Sequence, residues 1–478
     1  MDIHISIAGR HDLIGQIYRQ LRAGILDGRL AAGERLPSTR DLAVQLGVSR
    51  KTTLDAFERL IAEGYLRTRT GEGTFVADSL NRVPVTSTEA QSEPVQLDSI
   101  WDDMPDALAM PKAGTTLALD FKGGMTDKSA FPFESWRRCI NHALRLQARG
   151  RGEYHDPAGE QELRLAVSRY LAFNRAVVSN WQDVIITQGA QQALDLLARV
   201  LIRPGDTVAM EDPGYPPARA CFTAMGARVV SVPVDEQGLV TAKLPAQARL
   251  VYVTPSHQFP LGMPMSLERR VELLEWAQQN KVVIVEDDYD GEFRFEGRPM
   301  ESLKSLDRAG LVAYVGTFSK TIFPELRVGY VVPPLSLNPA LQKAKQIGDC
   351  HSCTLTQAAV GRFILNGDFT KHLRRMHKHY ETRRAMLLAH LRGDLATWFA
   401  PIVPAAGIHL TALLKPGLAE ETIIAAGREV AVGLYGISGF HTALPKRPGI
   451  LFGYGGISAA DIDQALGKLA QALRSRGV

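Results

Sequence analysis

Four cysteines in 478 residues cannot staple this chain, and a chain of that length buries a core without them. Cys139 and Cys221 stand alone, while Cys350 and Cys353 form one C-x-x-C pair. Such usage fits a reducing compartment. No second Cys pair completes a zinc tetrahedron, so the four are read as ordinary thiols and no metal is expected. The sequence also lacks a run of about 18 apolar residues, which excludes an ordinary membrane-spanning helix. Its opening, MDIHISIAGRHDL, lacks the apolar core of a secretory signal, and a cytoplasmic protein is expected. The net charge is only +4. Any contact with nucleic acid must come from locally placed Arg and Lys, not from a polybasic tail.

What is present is ordinary for a globular protein: 45% hydrophobic and 22% charged residues. Three regions separate by pattern. Residues 1–78 contain a compact run of helical and strand signals. Residues 79–116 begin with SLNRVPVTSTEAQSEPVQ, a polar, Pro-containing stretch that cannot bury a core and reads as a linker. From 117 to 478, short apolar runs (VAMED, VYVTP, VVIVEDD, LVAYVG) alternate with helix-length segments. This predicts an α/β domain with a mostly parallel sheet.

In the first region, Leu13, Ile17, Leu21 and Ile25 recur at helical spacing. Ser38 is a natural N-cap for a second helix, with Asp41 at the third position beyond it. Gly47 closes that helix, because glycine accepts the positive φ of a helix stop. Ser49 caps a third helix running to Ala62, whose first turn carries Arg50, Lys51, Thr52 and Thr53. Tyr65–Thr70 and Thr74–Val76 read as two strands joined by Gly71-Glu72-Gly73, a wing with Arg67 at its base. Helix, turn, helix and glycine-bounded ribbon in this order predict a winged helix on double-stranded DNA. Arg35, Ser38, Thr39, Arg40, Ser49, Arg50, Lys51, Thr52, Thr53, Arg67, Gly71 and Gly73 are its candidate contacts, through phosphates, base edges or backbone amides.

In the third region, Gly316-Thr317-Phe318-Ser319-Lys320 follows the apolar strand Leu311–Val315, and Arg327 lies just beyond. A lysine that forms a Schiff base needs a confined site in which its amine can lose a proton. Neighbouring hydroxyls and an arginine suit a phosphate. Earlier, Val282–Val285 leads into Glu286-Asp287-Asp288-Tyr289-Asp290, placing carboxylates at the strand end where α/β sheets bind ligands. Thr187-Gln188-Gly189-Ala190-Gln191 opens a helix after another strand. Asp212-Pro213-Gly214-Tyr215 and Thr254-Pro255-Ser256-His257-Gln258-Phe259-Pro260 follow two more. His372, His377 and His379, with Arg374 and Arg375, read as a basic, solvated helical face or a dimer surface.

The phrases LPSTRDLA, GVSRKTT and GYLRTRTGEGTFVA resemble the GntR-type winged helix. YHDPAGEQELR, ITQGAQQALDL, EDPGYP, TPSHQFP, EDDYDGEFR and GTFSKTIFPELRVGY resemble fold-type I aminotransferases. Together they resemble the MocR branch of the GntR regulators over nearly the whole chain. The resemblance implies that Lys320 holds pyridoxal phosphate as an internal aldimine. It implies Asp287 at the ring nitrogen, Tyr289 at the ring hydroxyl and Tyr215 stacked on the ring. Ala190, Gln191, Thr317, Ser319 and Arg327 would cradle the phosphate. Tyr154 would reach the phosphate of a neighbouring subunit, which implies a head-to-tail homodimer.

Two positions depart from an ordinary aminotransferase. Phe259 stands where the ring hydroxyl has an asparagine partner, and Leu451 stands where an arginine holds the substrate carboxylate. Leucine forms no bidentate pair with a carboxylate. The expectation is a transcription regulator that senses a small amine or amino acid by aldimine exchange at Lys320. The alternatives are a regulator sensing pyridoxal phosphate itself, and an active aminotransferase.

Overall fold

The computed structural model describes residues 5–9, 11–78, 99–101, 104, 117–297, 301–443 and 445–477. The chain forms two compact units, Met1–Leu97 and Asp98–Val478. Apart from a 3₁₀ turn at Ser99–Trp101 and the single residue Met104, the expected linker 79–116 lies outside the described residues. Among the described residues no helix is long and apolar enough to cross a membrane.

The first unit is α1 (Leu13–Leu26), α2 (Thr39–Leu46), α3 (Arg50–Ala62), β1 (Leu66–Arg69) and β2 (Gly73–Val76). Ser38 Oγ accepts the amide of Asp41 at 3.2 Å, and Ser49 Oγ accepts that of Thr52 at 3.1 Å. Each bond satisfies one of the amides that a helix start leaves open. Gly47 closes α2 with φ +62. Ile17, Leu21 and Ile25 of α1 meet Leu42, Phe57, Leu60, Leu66 and Val76 in one small core. Each such buried side chain contributes roughly 1.5–3 kcal/mol of transfer free energy.

The second unit is built on an eight-stranded sheet. In chain order its strands are β3 (Ile185–Thr187), β4 (Thr207–Asp212), β5 (Arg228–Asp235), β6 (Gly238–Leu239), β7 (Ala248–Val253), β8 (Val283–Asp288), β9 (Val312–Thr317) and β10 (Gly329–Val332). Their spatial order is β3-β10-β9-β8-β7-β4-β5-β6. The five central strands β9, β8, β7, β4 and β5 run parallel, and antiparallel β10 and β6 flank them. Central strands such as Val312–Thr317 are buried along their whole length. That burial explains why they read in sequence as continuous apolar runs. Nearer the C-terminus, β11 (Phe399–Pro401), β12 (His409–Leu414), β13 (Tyr435–Gly436) and β14 (Gly449–Gly453) form a second, antiparallel sheet in the order β11-β12-β14-β13.

Two residues of the basic helical stretch depart from expectation, while Arg374, Arg375 and His379 are exposed as expected. His372 lies on the helix Asp368–Arg392, is only 2% exposed, and its Nε2 lies 2.9 Å from the Thr321 carbonyl. Burial pushes its pKa down to about 4, so it packs as a neutral core ring and not as part of a solvated face. His377 is turned inward as well, with Nε2 2.8 Å from the Arg294 carbonyl. Alternation of basic residues hides the fact that one side of this long helix is core.

Candidate functional site

In the first unit, Arg35, Ser38, Arg40, Ser49, Arg50, Lys51, Gly71 and Gly73 are exposed, and Thr39, Thr52 and Arg67 are half-buried. Gly71 and Gly73 have φ +81 and +119, the conformations that let the wing turn so tightly. Arg67 is ion-paired with Asp78. Thr53 does not face outward as expected. It is fully buried, and its hydroxyl donates to the carbonyls of Thr39 at 2.7 Å and Arg50 at 3.0 Å. It ties α2 to α3. In sequence it cannot be told from its neighbour Thr52.

In the second unit, the carboxyl ends of β3, β8 and β9 open on one crevice, the usual ligand end of a parallel sheet. Asp287 lies at the end of β8 and is 3% exposed. Its Oδ2 accepts the Tyr252 phenol at 2.7 Å, while its buried Oδ1 has no partner. Burial, reinforced by Asp288 and Asp290, pushes its pKa up to about 7 against the pull of Tyr252 and Lys320. Lys320 follows β9. Its Nζ donates to the Gly124 carbonyl at 3.0 Å. Burial holds its pKa below the ordinary lysine value, and Arg327 adds to that effect. Asp290 and Asp287 oppose it.

On the opposite side, Arg327 donates to the Gln188 carbonyl at 2.6 Å. Gly189, with φ +81, opens the helix α4 (Ala190–Leu201), and a Cβ there would stand 2.8 Å from the guanidinium. Thr317 Oγ1 donates to Ser319 Oγ at 3.0 Å and accepts the Ser319 amide at 3.1 Å. Ala190 and Gln191 form the first turn of α4, where amides lack helical partners. The side chain of Gln191 turns away to the Pro217 carbonyl at 3.2 Å. Tyr215 starts the helix Pro216–Ala224 and packs edge-on against Phe259, ring centroids 5.4 Å apart. Tyr154 is 86% exposed and meets the ring of His351 at a centroid distance of 5.9 Å. Cys350 and Cys353 are free and exposed. Cys353 lines a small cavity with Arg327 and Gln188.

The chemistry of these groups is complementary to one molecule. An unpaired buried carboxylate oxygen accepts a ring N–H. A lysine held below its normal pKa is a nucleophile for an aldehyde. Hydroxyls, helix amides and a guanidinium receive a phosphate. The residues present therefore fit pyridoxal phosphate.

A neighbouring cluster is not visible in the sequence. His257 Nδ1 lies 2.9 and 3.1 Å from the two carboxylate oxygens of Asp290. The Ile408 amide donates to the same carboxylate at 3.1 Å. The ring of His409 sits 4.4 Å from that of His257. Donor atoms of the three residues lie within 4.8 Å of one another, but the Asp290 oxygens already accept N–H groups. His257 and Asp290 fall inside phrases singled out in the sequence, TPSHQFP and EDDYD. His409 lies in a plain strand, where nothing marks it.

Leu451 is 4% exposed on β14 and packs with Leu261 and Ile437. Phe259 is ringed by Tyr215, Tyr289, His409 and Phe440. Leu451 thus sits among aliphatic side chains and Phe259 among rings.

Residues 123–469 match the family "aminotransferase class I and II", and residues 13–76 match "bacterial regulatory proteins, gntR family". A probable rhizopine catabolism regulatory protein, MocR, of Rhizobium meliloti is 36% identical over 96% of this chain and 93% of its own. The HTH-type pyridoxine biosynthesis transcriptional regulator PdxR of Corynebacterium glutamicum is 30% identical over 96% of this chain and 95% of its own. Among solved structures, the kynurenine aminotransferase of Pyrococcus horikoshii superposes with a TM-score of 0.70 at 27% identity, covering 76% of this chain and 92% of that one. A winged helix and an aminotransferase-like unit, matched end to end by regulators, make this chain a member of the MocR-type GntR transcription regulators.

Proposed function

We propose that the protein binds pyridoxal phosphate at Lys320, reads a small amine or amino-acid effector there, and passes the result to operator DNA through its winged helix. The observation that carries this reading is the pairing of Lys320, held below its normal pKa, with the unpartnered Oδ1 of Asp287. When bound, the cofactor supplies an aldehyde that an amine can capture and a ring that draws electrons. The chain's own part is to hold that ring by Asp287 and Tyr289, its phosphate by Arg327, Thr317 and Ser319, and its aldehyde by Lys320. An effector amine would compete with Lys320 for that aldehyde, and the protein would respond through the changed occupancy of the crevice. The coupling is reciprocal, so DNA and amine each alter the affinity of the other by the same factor.

Turnover as an aminotransferase is not part of this reading, because Leu451 and Phe259 present hydrocarbon at two positions where catalysis of transamination needs polar groups. Exposed Tyr154 supports a head-to-tail homodimer in which it meets the partner's phosphate site. A regulator of this kind acts in the cytoplasm, where its DNA is.

The test is the visible absorption of the protein with added pyridoxal phosphate, beside Lys320→Ala. A Schiff-base band in the wild type alone supports the reading, and its absence in both overturns it. A second reading, that pyridoxal phosphate is itself the signal, draws on the likeness to PdxR. Titrating DNA binding with the cofactor, with and without amines, separates the two.

A further inference from the structure

Tyr289 is the half-buried end of an otherwise buried chain of polar groups. Its phenol donates to the His257 carbonyl at 2.8 Å and lies 3.1 Å from His257 Nδ1. That imidazole is locked on three sides. Asp290, 0% exposed, lies 2.9 Å from its Nδ1 as hydrogen-bond partner. The Ile408 amide of the adjoining C-terminal segment holds the carboxylate in turn. Gly407 presses on the ring so closely that a Cβ there would stand 2.0 Å from Cε1. Beside it, His409 is neutral, its pKa pushed down to about 3 by burial and then by His257. His409 therefore brings no positive charge to Asp290.

We propose that Asp290 and His257 are a positioning pair for Tyr289: the carboxylate fixes the imidazole, the imidazole edge and the backbone carbonyl of His257 hold the phenol oxygen in place, and the single phenol proton, given to that carbonyl without cofactor, would turn to the ring oxygen of a bound cofactor. This rests on the reading that pyridoxal phosphate occupies Lys320. It gives the pair a task that Phe259 makes necessary, since a phenylalanine donates nothing to that oxygen and Tyr289 must serve it alone.

A donor aimed at the ring oxygen stabilises it most when the neighbouring nitrogen has lost its proton. It therefore lowers the pH at which the bound cofactor changes colour. The other charged groups facing this locus are Asp290, Asp287 and Arg327 about Lys320, and Asp290, Asp287, Glu211 and Asp288 about Tyr289; Asp287 and Glu211, both pushed up to about 7 by burial, are common to all the variants compared below.

The experiment is a pH titration of the visible band in cofactor-loaded wild type, His257→Leu, His257→Asn, Tyr289→Phe and the His257→Leu/Tyr289→Phe double variant. His257→Leu is expected to raise the midpoint by about 1 pH unit, equivalent to about 1.4 kcal/mol. The double variant should go no further than Tyr289→Phe, because the histidine acts through the tyrosine. His257→Asn keeps a donor near the Nδ1 position and should stay close to wild type. An unmoved midpoint in His257→Leu overturns the proposal. So do shifts that add in the double variant, or an Asn variant that moves as far as Leu. Absence of any band in the wild type instead overturns the cofactor reading beneath it.

Discussion

The Lys320 amine donates to the carbonyl of Gly124, 196 residues earlier in the chain, at 3.0 Å. Gly124 has φ +76, and a Cβ there would lie 2.6 Å from Nζ. The Lys320 amine is thus positioned by a residue that must lack a side chain for two separate reasons, conformation and space.

Gly124→Ala should therefore displace the lysine while leaving the sheet intact. Strain of about 1–2 kcal/mol from the left-handed backbone adds to the clash. The expected result is cofactor affinity weaker by at least about tenfold, or about 1.4 kcal/mol, read by titrating the visible band. Unchanged affinity would show that Lys320 leaves Gly124 when the cofactor binds, so that the glycine matters only to the cofactor-free state.

Asp287 sets a pH dependence whose sign follows from its surroundings. Folded and cofactor-free, it keeps its proton to about pH 7 because burial penalises the anion, against 3.8 for an ordinary aspartate. The folded state then binds more protons than the unfolded state between those values. Its contribution to stability is full below the ordinary carboxylate pKa and is lost as pH rises toward 7. Glu211, also pushed up to about 7 by burial, acts in the same direction. Asp287→Asn removes one of these contributions. Relative to wild type, the cofactor-free variant should gain thermal stability steadily from about pH 4 to pH 7. Melting temperatures of both proteins across that range check it, and parallel curves would refute it. With cofactor bound the order should reverse, since asparagine cannot hold a protonated ring nitrogen as an anion does.

Much of this site is legible in the sequence because its groups sit where strands end. Asp287, Thr317 and Lys320 follow apolar runs that the sequence shows plainly, and the crevice position follows from parallel-sheet geometry. Thr53 and His372 defeat that reading for one shared reason. A short polar side chain or an imidazole looks solvated until its neighbours are known, and helical spacing in a basic segment does not say which face is core. The burial of His409 and the role of Gly124 depend on contacts between segments far apart in sequence. Local pattern carries no signal of such contacts.

Leu451→Arg would restore the residue that an aminotransferase needs, yet it should not restore turnover. Leu451 is 4% exposed and packed against Leu261 and Ile437. A guanidinium placed among those aliphatic side chains carries a desolvation penalty of several kcal/mol. The expected outcome is a melting temperature lower by several degrees and no gain in amino-group transfer. Appearance of turnover with an α-amino acid would mean that the surrounding apolar cluster opens, and would return the aminotransferase alternative to consideration.

In the winged helix, Thr53 and Lys51 are two residues apart and should behave as opposites. Thr53→Val keeps the shape but removes the hydroxyl that bonds the Thr39 and Arg50 carbonyls. It should cost roughly 1–3 kcal/mol of stability in this unit. Binding to duplex DNA should weaken only as far as the folded fraction falls, and the slope of log affinity against log salt should not change. Lys51 is exposed at the start of α3. Lys51→Ala should leave the melting temperature nearly unchanged and reduce that salt slope by about 1, the signature of one lost phosphate contact. Measuring affinity for one mixed-sequence duplex at several salt concentrations, alongside thermal melts, separates the two. A changed salt slope in Thr53→Val would place its hydroxyl at the DNA after all, and an unchanged slope in Lys51→Ala would remove that lysine from the interface.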